Sequence, residues 1–294
     1  MKQKSNQSRA ILTLLMLALL CYPLAACSKS SEKEKPASND NVVQTTTVED
    51  PATAVTTEEE VVEEVVEEET EEVVEATNDV RIKYVGNSCF YITFADGTRL
   101  VTDPYGSTYE SYFGEFPVME ADVLTISHSH SDHISGIKVT TGEPQIIRPS
   151  QLNEAITVGD VKITGYASNH VAELGDNTIF VYEEGDIKIV HMGETDIIES
   201  PEAREAIKDA DVLLTYAGEY GTIKNPDNFK SLEDLNVKVM IPQHYSMDAN
   251  NRFYEQPTVD EILAELPEGT VVNTANELIV TKDLEKQFLV LTKN

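Results

Sequence analysis

The sequence predicts an α/β fold in which two β-sheets pack together and helices flank them. Three observations carry the prediction. From Val80 onward, short runs rich in β-branched and aromatic residues recur, separated by turn signals such as Gly86-Asn87 and Asp96-Gly97. The first runs follow one another directly, whereas later ones alternate with helical patterns, an order that suits stacked sheets with helices outside. Residues 80–294 have the length of one domain and show no internal repeat.

The strands are expected at Val80–Val85, Cys89–Phe94, Thr98–Thr102, Asp122–Ser127, Val161–Ala167, Thr178–Tyr182, Ile187–His191, Asp211–Thr215, Val237–Ile241 and Glu277–Thr281. The second and third read as a hairpin around Ala95-Asp96-Gly97. Helical patterns fall at Pro201–Asp209, Asp227–Leu235 and Thr258–Leu266, with Pro226 and Pro257 as start signals for the last two. Cys89, inside an apolar run, reads as a small buried residue.

The residues before Val80 have a different character. The whole chain has 294 residues, with 22 Lys+Arg against 52 Asp+Glu and a net charge of −30. Residues 1–27 hold three bases and no acid, residues 28–79 hold 3 Lys against 17 acids, and residues 80–294 hold 16 bases against 35 acids. Charge of this sign disfavours a nucleic-acid partner, because phosphates are repelled. Residues 1–27 read as an export signal, with a basic start and an apolar run from Ala10 to Tyr22. That run is shorter than the roughly 17–25 residues a spanning helix needs.

The run ends in Leu24-Ala25-Ala26-Cys27, which resembles a bacterial lipobox. The resemblance implies lipidation of Cys27 and a place outside the cytoplasm on a bacterial membrane. An ordinary cleaved signal or an uncleaved anchor is the alternative. Once Cys21 leaves with the signal and Cys27 is lipidated, Cys89 remains alone and forms no internal disulfide. Residues 28–79 have no aromatic residue and read as a disordered acidic tether. A transient or partner-bound helix is the other reading of Glu58–Glu67, where Val pairs recur every four residues. Like-charged Glu pairs at i and i+4 oppose that helix. As a coil the stretch would span roughly 40 Å.

The histidines carry the chemistry. Six are present, none before residue 128, and three fall in His128-Ser129-His130-Ser131-Asp132-His133. The cluster follows the expected strand Asp122–Ser127. On extended backbone His128 and His130 face the same side. Asp132 and His133 come as the chain turns into a helix. Three imidazoles and a carboxylate this close suit a divalent metal. A solvated His-rich loop is the bland alternative.

This segment matches the HxHxDH signature, and residues 80–294 resemble the metallo-β-lactamase superfamily of metal-dependent hydrolases. The resemblance implies a four-layer αββα sandwich and two metal ions. His128, His130 and His170 would hold the first, and Asp132, His133 and His244 the second. Glu194, in Gly193-Glu194-Thr195, would bridge them. Asp103, in Thr102-Asp103-Pro104, and His191 would support the ligands from behind, though His191 reads equally as a structural buried residue. The segments around Glu194 and Pro242-Gln243-His244-Tyr245 look closest to the sugar-phosphate lactonase branch.

Two departures from the family pattern stand out. Position 194 is Glu where Asp is usual, and Asp196 is at the wrong spacing to replace it. Asn87 follows Gly86 where the family often has His. Both leave room for a weakened second metal.

The activity implied is hydrolysis of an ester, lactone, amide or phosphodiester of a small molecule by a hydroxide held between two metals. Asp132 would be both ligand and proton acceptor. Zn²⁺ suits the His-rich donors, and the carboxylates admit Mn²⁺ or Fe²⁺. The alternative function is a lipid-anchored ligand- or metal-binding protein on the same fold without turnover, which Glu194 and Asn87 favour. The acidic stretch as a partner-binding tail is a further possibility. Oligomeric state is left open. Specificity is expected in the loops Tyr105–Phe116 and Tyr216–Asn228, although the aromatic cluster of the first reads equally as packing.

Overall fold

The computed structural model describes residues 79–149, 153–195, 197–218 and 226–293, with backbone only for 226–229. The export signal with Cys27, the acidic stretch 28–78, Asp196 and residues 219–225 lie outside the described residues.

In chain order the strands are β1 Val80–Gly86, β2 Cys89–Thr93, β3 Arg99–Thr102, β4 Met119–Glu120, β5 Val123–Thr125, β6 Thr140–Thr141, β7 Gln145–Ile147 and β8 Ile156–Val158. They continue as β9 Val161–Asn169, β10 Asp176–Glu184, β11 Ile187–His191, β12 Val212–Tyr216, β13 Val239–Gln243, β14 Val272–Ala275, β15 Leu278–Val280 and β16 Gln287–Leu291. The helices are α1 Glu110–Phe113, α2 Ser131–Ile134, α3 Pro201–Ile207, α4 Pro226–Glu233 and α5 Val259–Glu265. One sheet has the order β15-β1-β2-β3-β5-β7 and the other β14-β16-β13-β12-β11-β10-β9-β8, with β4 and β6 as a small separate pair.

Side-chain alternation shows why these segments stack. In β2, Phe90 and Ile92 enter the main core while Cys89 and Tyr91 face a second cluster. In β3, Leu100 and Val101 divide the same way, as do Val123 and Leu124 in β5. The main core joins these residues to Ile163, Ile179, Tyr182, Ile189 and Leu213 of the second sheet, so the two sheets share one apolar interior. Ala203 and Ile207 of α3 and Ile262 of α5 belong to it too. The other face of the first sheet is covered by Tyr105, Phe113 and Phe116. Both faces of that sheet are therefore buried, as the near-continuous apolar runs demand.

The expected hairpin forms, with Tyr91 opposite Val101 and Thr93 opposite Arg99. Asp96 caps its turn by accepting from Thr98 N and Thr98 Oγ1 at 2.8 Å. Helix starts follow their local signals. Ser200 caps α3 with Pro201 behind it, and Thr258 with Glu261 forms a capping box on α5. Bounds otherwise differ from expectation by one or two residues, the ordinary fraying of element ends. The strands β4, β6, β7, β8, β14 and β16 were not expected. Five of them have four residues or fewer, too short for a periodic signal, whereas β16 is an apolar run that was readable.

Strand direction positions the site. The runs β3-β5-β7 and β11-β12-β13 are parallel. Chain segments leaving the carboxyl ends of β3, β5, β11 and β13 carry Asp103, His128–His133, Glu194 and His244 respectively. Convergence at carboxyl ends of parallel strands is where α/β sheets open ligand crevices.

Candidate metal centre

Beyond β5 the chain runs Ile126-Ser127 and then through the histidine segment. The rings of His128 and His130 lie 4.6 Å apart at a steep angle, so the two do share a side. Asp132 and His133 sit buried in α2. His170 follows β9, and His244 follows β13 with φ of +60°.

Seven side chains meet in two groups. Donor atoms of His128, His130, His170 and Glu194 all lie within 4.8 Å of one another, and so do those of Asp132, His133, Glu194 and His244. Glu194 belongs to both. Its Oε1 is 2.6 Å from His133 Nε2, 2.9 Å from His244 Nε2 and 3.4 Å from His128 Nε2, while Oε2 is 3.3 Å from His170 Nε2. Asp132 Oδ2 lies 3.2 Å from His133 Nε2 and 3.4 Å from His244 Nε2.

The far side of the imidazole rings sets their tautomers. His133 Nδ1 donates to Asp103 Oδ2 at 2.9 Å, and His170 Nδ1 donates to Val171 O at 2.8 Å. Ser127 Oγ donates to Asp103 Oδ2 and so can accept from His128 Nδ1 at 2.9 Å. Each such bond leaves an Nε2 lone pair aimed into the cluster. His133 Nε2 and His170 Nε2 are buried and make no hydrogen bond. Orphaned lone pairs with two carboxylates at the centre are the donor set of a divalent-metal site, so these residues fit the metals the resemblance implies.

Electrostatics divide the cluster: both carboxylates stay ionised and His128 stays neutral, whereas His244, which burial alone would lower, is raised by Glu194 and Asp132 to about 9, so a metal must displace its proton. Burial alone would raise the Glu194 carboxyl, but His244, His128, His133 and His170 hold it well below the usual carboxylate range. Burial would likewise raise Asp132, and His133 with His244 reverse it. Desolvation, reinforced by the His133 charge, lowers His128 to about 4, which keeps that ring neutral and able to ligate. His133 moves the other way. Burial lowers it, but Asp132 and Asp103 overcome this and raise it.

Asp103 and His191 lie behind the ligands. Asp103 is fully buried with φ of +34°, and its Oδ1 accepts from Ser127 N at 2.7 Å. His191 Nε2 is 3.2 Å from Ser88 O and 3.9 Å from Asp103 Oδ2, outside both groups. Asn87 has a supporting place that its residue type did not reveal. Its Nδ2 donates at 3.1 Å both to Asp132 O and to Asp132 Oδ2, and its carbonyl accepts from His244 N at 2.8 Å.

Sequence reasoning missed three other supports. The Gln256 side-chain amide lies 2.6 Å from His244 Nδ1, where its oxygen accepts from Nδ1–H once Nε2 serves as a ligand, Asn177 Oδ1 accepts from Glu194 N at 3.0 Å, and Gln243 Nε2 donates to Gly193 O at 2.7 Å. Uncharged amides carry no metal-ligand signature, and only Gln243, beside His244, had a neighbour to flag it.

Of the two groups, His130, Asp132, His170, Glu194 and His244 form the floor of a pocket of about 480 Å³. Its walls include Tyr109, Val171, Leu174, Tyr216, Phe253 and Tyr254. Of the aromatic loop Tyr105–Phe116, the residues Tyr105, Phe113 and Phe116 are packed in the second core cluster, and Tyr109 reaches the pocket. In the other loop, Tyr216 lines the pocket and 219–225 lie outside the described residues.

Comparison with known proteins places this geometry. Residues 81–244 match the family model of the beta-lactamase superfamily domain. A solved structure from Thermotoga maritima, assigned as a Zn-dependent hydrolase of the metallo-β-lactamase superfamily, is 30% identical with a TM-score of 0.56. That match covers 72% of this chain and 98% of the other. A "UPF0173 metal-dependent hydrolase" of Enterococcus faecalis is 27% identical over 110 residues, 36% of this chain. The match spans 44% of that curated relative, less than half its length. With its mixed α/β sheets, histidine-rich crevice and family match over more than half its length, the chain belongs to the metallo-β-lactamase superfamily of metal-dependent hydrolases.

Proposed function

We propose that the chain is a metal-dependent hydrolase, held outside the cytoplasm by a lipid on Cys27, with residues 28–79 as tether and 80–294 as the catalytic domain. The observation that carries the hydrolase reading is the sharing of Glu194 between two donor groups, its Oε1 facing Nε2 of His133, His244 and His128 and its Oε2 facing Nε2 of His170. His128, His130 and His170 would hold one ion, Asp132, His133 and His244 the other, and Glu194 both. Two divalent ions so held, with Zn²⁺ the best match to the donors, would lower the pKa of water toward about 7 and stabilise charge developing on the scissile group.

The protein's own contribution follows from its geometry. Asp132, fixed by Asn87, holds a carboxylate oxygen at the pocket floor, where it accepts the proton given up by the attacking water. Asp103 and Val171 O hold His133 and His170 in one tautomer. Tyr216 and Phe253 wall the floor and limit water around it. The bond cleaved is an ester, lactone, amide or phosphodiester of a small molecule, and the domain's acidic charge disfavours nucleic acid.

Metal content and turnover test this. Elemental analysis should give two equivalents of metal, with hydrolysis of a generic ester or phosphodiester that Asp132→Ala abolishes. Full activity in Asp132→Ala would refute the mechanism. One loosely held ion and no turnover across a broad panel would instead establish the lipid-anchored binding protein. Labelling of the intact chain by a diacylglyceryl donor, lost in Cys27→Ala, tests the anchor.

A further inference from the structure

From the chemistry of the pocket walls we infer that the substrate is an uncharged ester or lactone whose acyl side is apolar; this rests on the hydrolase reading above. The pocket has two unlike sides. Its floor is the carboxylate and imidazole cluster, while its mouth carries Leu174, 61% exposed, and Tyr254, 79% exposed. Large apolar groups this exposed at a concave site are the usual sign of a surface that a ligand covers. Phe253 and Tyr109 continue the same wall inward, with ring centroids 5.4 Å apart.

Charge points the same way. Among the described residues lining the pocket none is Lys or Arg, and Glu255 adds a further acid at the wall. The nearest cation in sequence, Arg252, is committed elsewhere. It forms a double ion pair with Glu261 at 2.7 and 2.9 Å and donates to Gln256 O at 3.1 Å. An anionic phosphate beside the pocket wall would be repelled by Glu255. An apolar acyl chain needs no cation and would cover Leu174 and Tyr254. In the step itself, a water oxygen bonds to the acyl carbon as the bond to the leaving oxygen breaks with its electron pair. The leaving oxygen takes up a proton, so the products are a carboxylic acid and an alcohol.

The test uses the zinc-loaded full chain and 4-nitrophenyl esters of acetate, butyrate and hexanoate, beside 4-nitrophenyl phosphate and bis(4-nitrophenyl) phosphate. kcat/KM should rise by about tenfold or more from acetate to hexanoate, mostly through KM, because each added methylene gains apolar contact. The ratio of hexanoate to acetate should collapse below about threefold in Leu174→Asp/Tyr254→Ala. A flat series, or faster hydrolysis of either phosphate than of any ester, overturns this inference and leaves the hydrolase reading standing. No turnover of any of these esters with zinc bound overturns this inference, and the hydrolase reading falls with it only if amides and lactones are inert as well.

Discussion

Replacing Gly193 by Ala should damage both the fold and the metal centre. Gly193 has φ of +58°, and its carbonyl accepts from Gln243 Nε2 at 2.7 Å while the next residue's N–H is held by Asn177 Oδ1 at 3.0 Å. The backbone is thus pinned on both sides. A Cβ built here would stand 2.3 Å from Asn177 Oδ1 and 2.6 Å from Ser127 Cβ. The left-handed conformation costs an L-residue about 1–2 kcal/mol. Forcing a methyl against such neighbours adds about 1–3 kcal/mol. The sum, about 2–5 kcal/mol, lowers Tm by about 4–20 °C for a domain of this size. Because Asn177 and Ser127 also position Glu194 and His128, displacement to relieve the clash should disturb both metal groups. Circular-dichroism melts and denaturant midpoints of the metal-free protein read the first effect, and zinc stoichiometry reads the second. A variant within about 0.5 kcal/mol of the parent that still binds its full metal complement would refute the account.

Other outcomes follow from single contacts. Gln256→Ala removes the amide that faces His244 Nδ1, behind the second donor group. It should weaken binding of added zinc by about 10–100-fold in a calorimetric titration, with Gln256→Glu restoring most of it. Asp211 accepts from Lys238 Nζ at 2.8 Å, Lys282 Nζ at 3.1 Å and Lys188 N at 2.9 Å. Burial would raise its carboxyl, but these partners hold it below the ordinary value. A carboxylate depressed on folding stabilises above its unfolded pKa of about 3.9 and loses that contribution as pH falls through the folded value. Asp211→Asn should therefore cost about 1–3 kcal/mol at pH 7 in urea melts, a deficit that shrinks as the pH drops below about 4. Thr258→Ala should cost about 1 kcal/mol by breaking the capping box on α5, read from the same melts. Chelation should lower Tm, and excess zinc should restore it in a concentration-dependent way, by about 2.7 kcal/mol at a hundred times Kd.

How much of this was legible in the sequence depends on what each residue must do. The strands around Phe90, Leu100 and Val190 announced themselves through apolar runs, because burial on both faces leaves no room for polar positions. The short edge strands β8 and β14 bury little and left no trace. Among site residues, His128, His130, Asp132 and His133 were readable from spacing alone, since one turn of chain brings them together. His170, Glu194 and His244 arrive from distant strands and came from resemblance to a family. The amides Asn87, Asn177, Gln243 and Gln256 were not read as supports, for what they do is defined by the atom opposite them and not by their type.

Glu194 shows how those supports change the meaning of a ligand. Read in the sequence, an extra methylene at this position called for an adjustment in the backbone or in the spacing of the metals. In the structure the glutamate lies across the crevice, with Oε1 facing His133, His244 and His128 and Oε2 facing His170. Its main chain is tied at both ends, since its N–H is held by Asn177 and its carbonyl accepts from Val171 N at 2.8 Å. The second tie binds Glu194 to the segment that carries His170, so the carboxylate and one of its imidazoles move as a unit. An aspartate on the same backbone would draw the carboxylate back by about 1.5 Å, one carbon–carbon bond. It would then fall short of the imidazoles that Glu194 now reaches in both groups. From a main chain tied at both ends, the longer side chain reaches both donor groups.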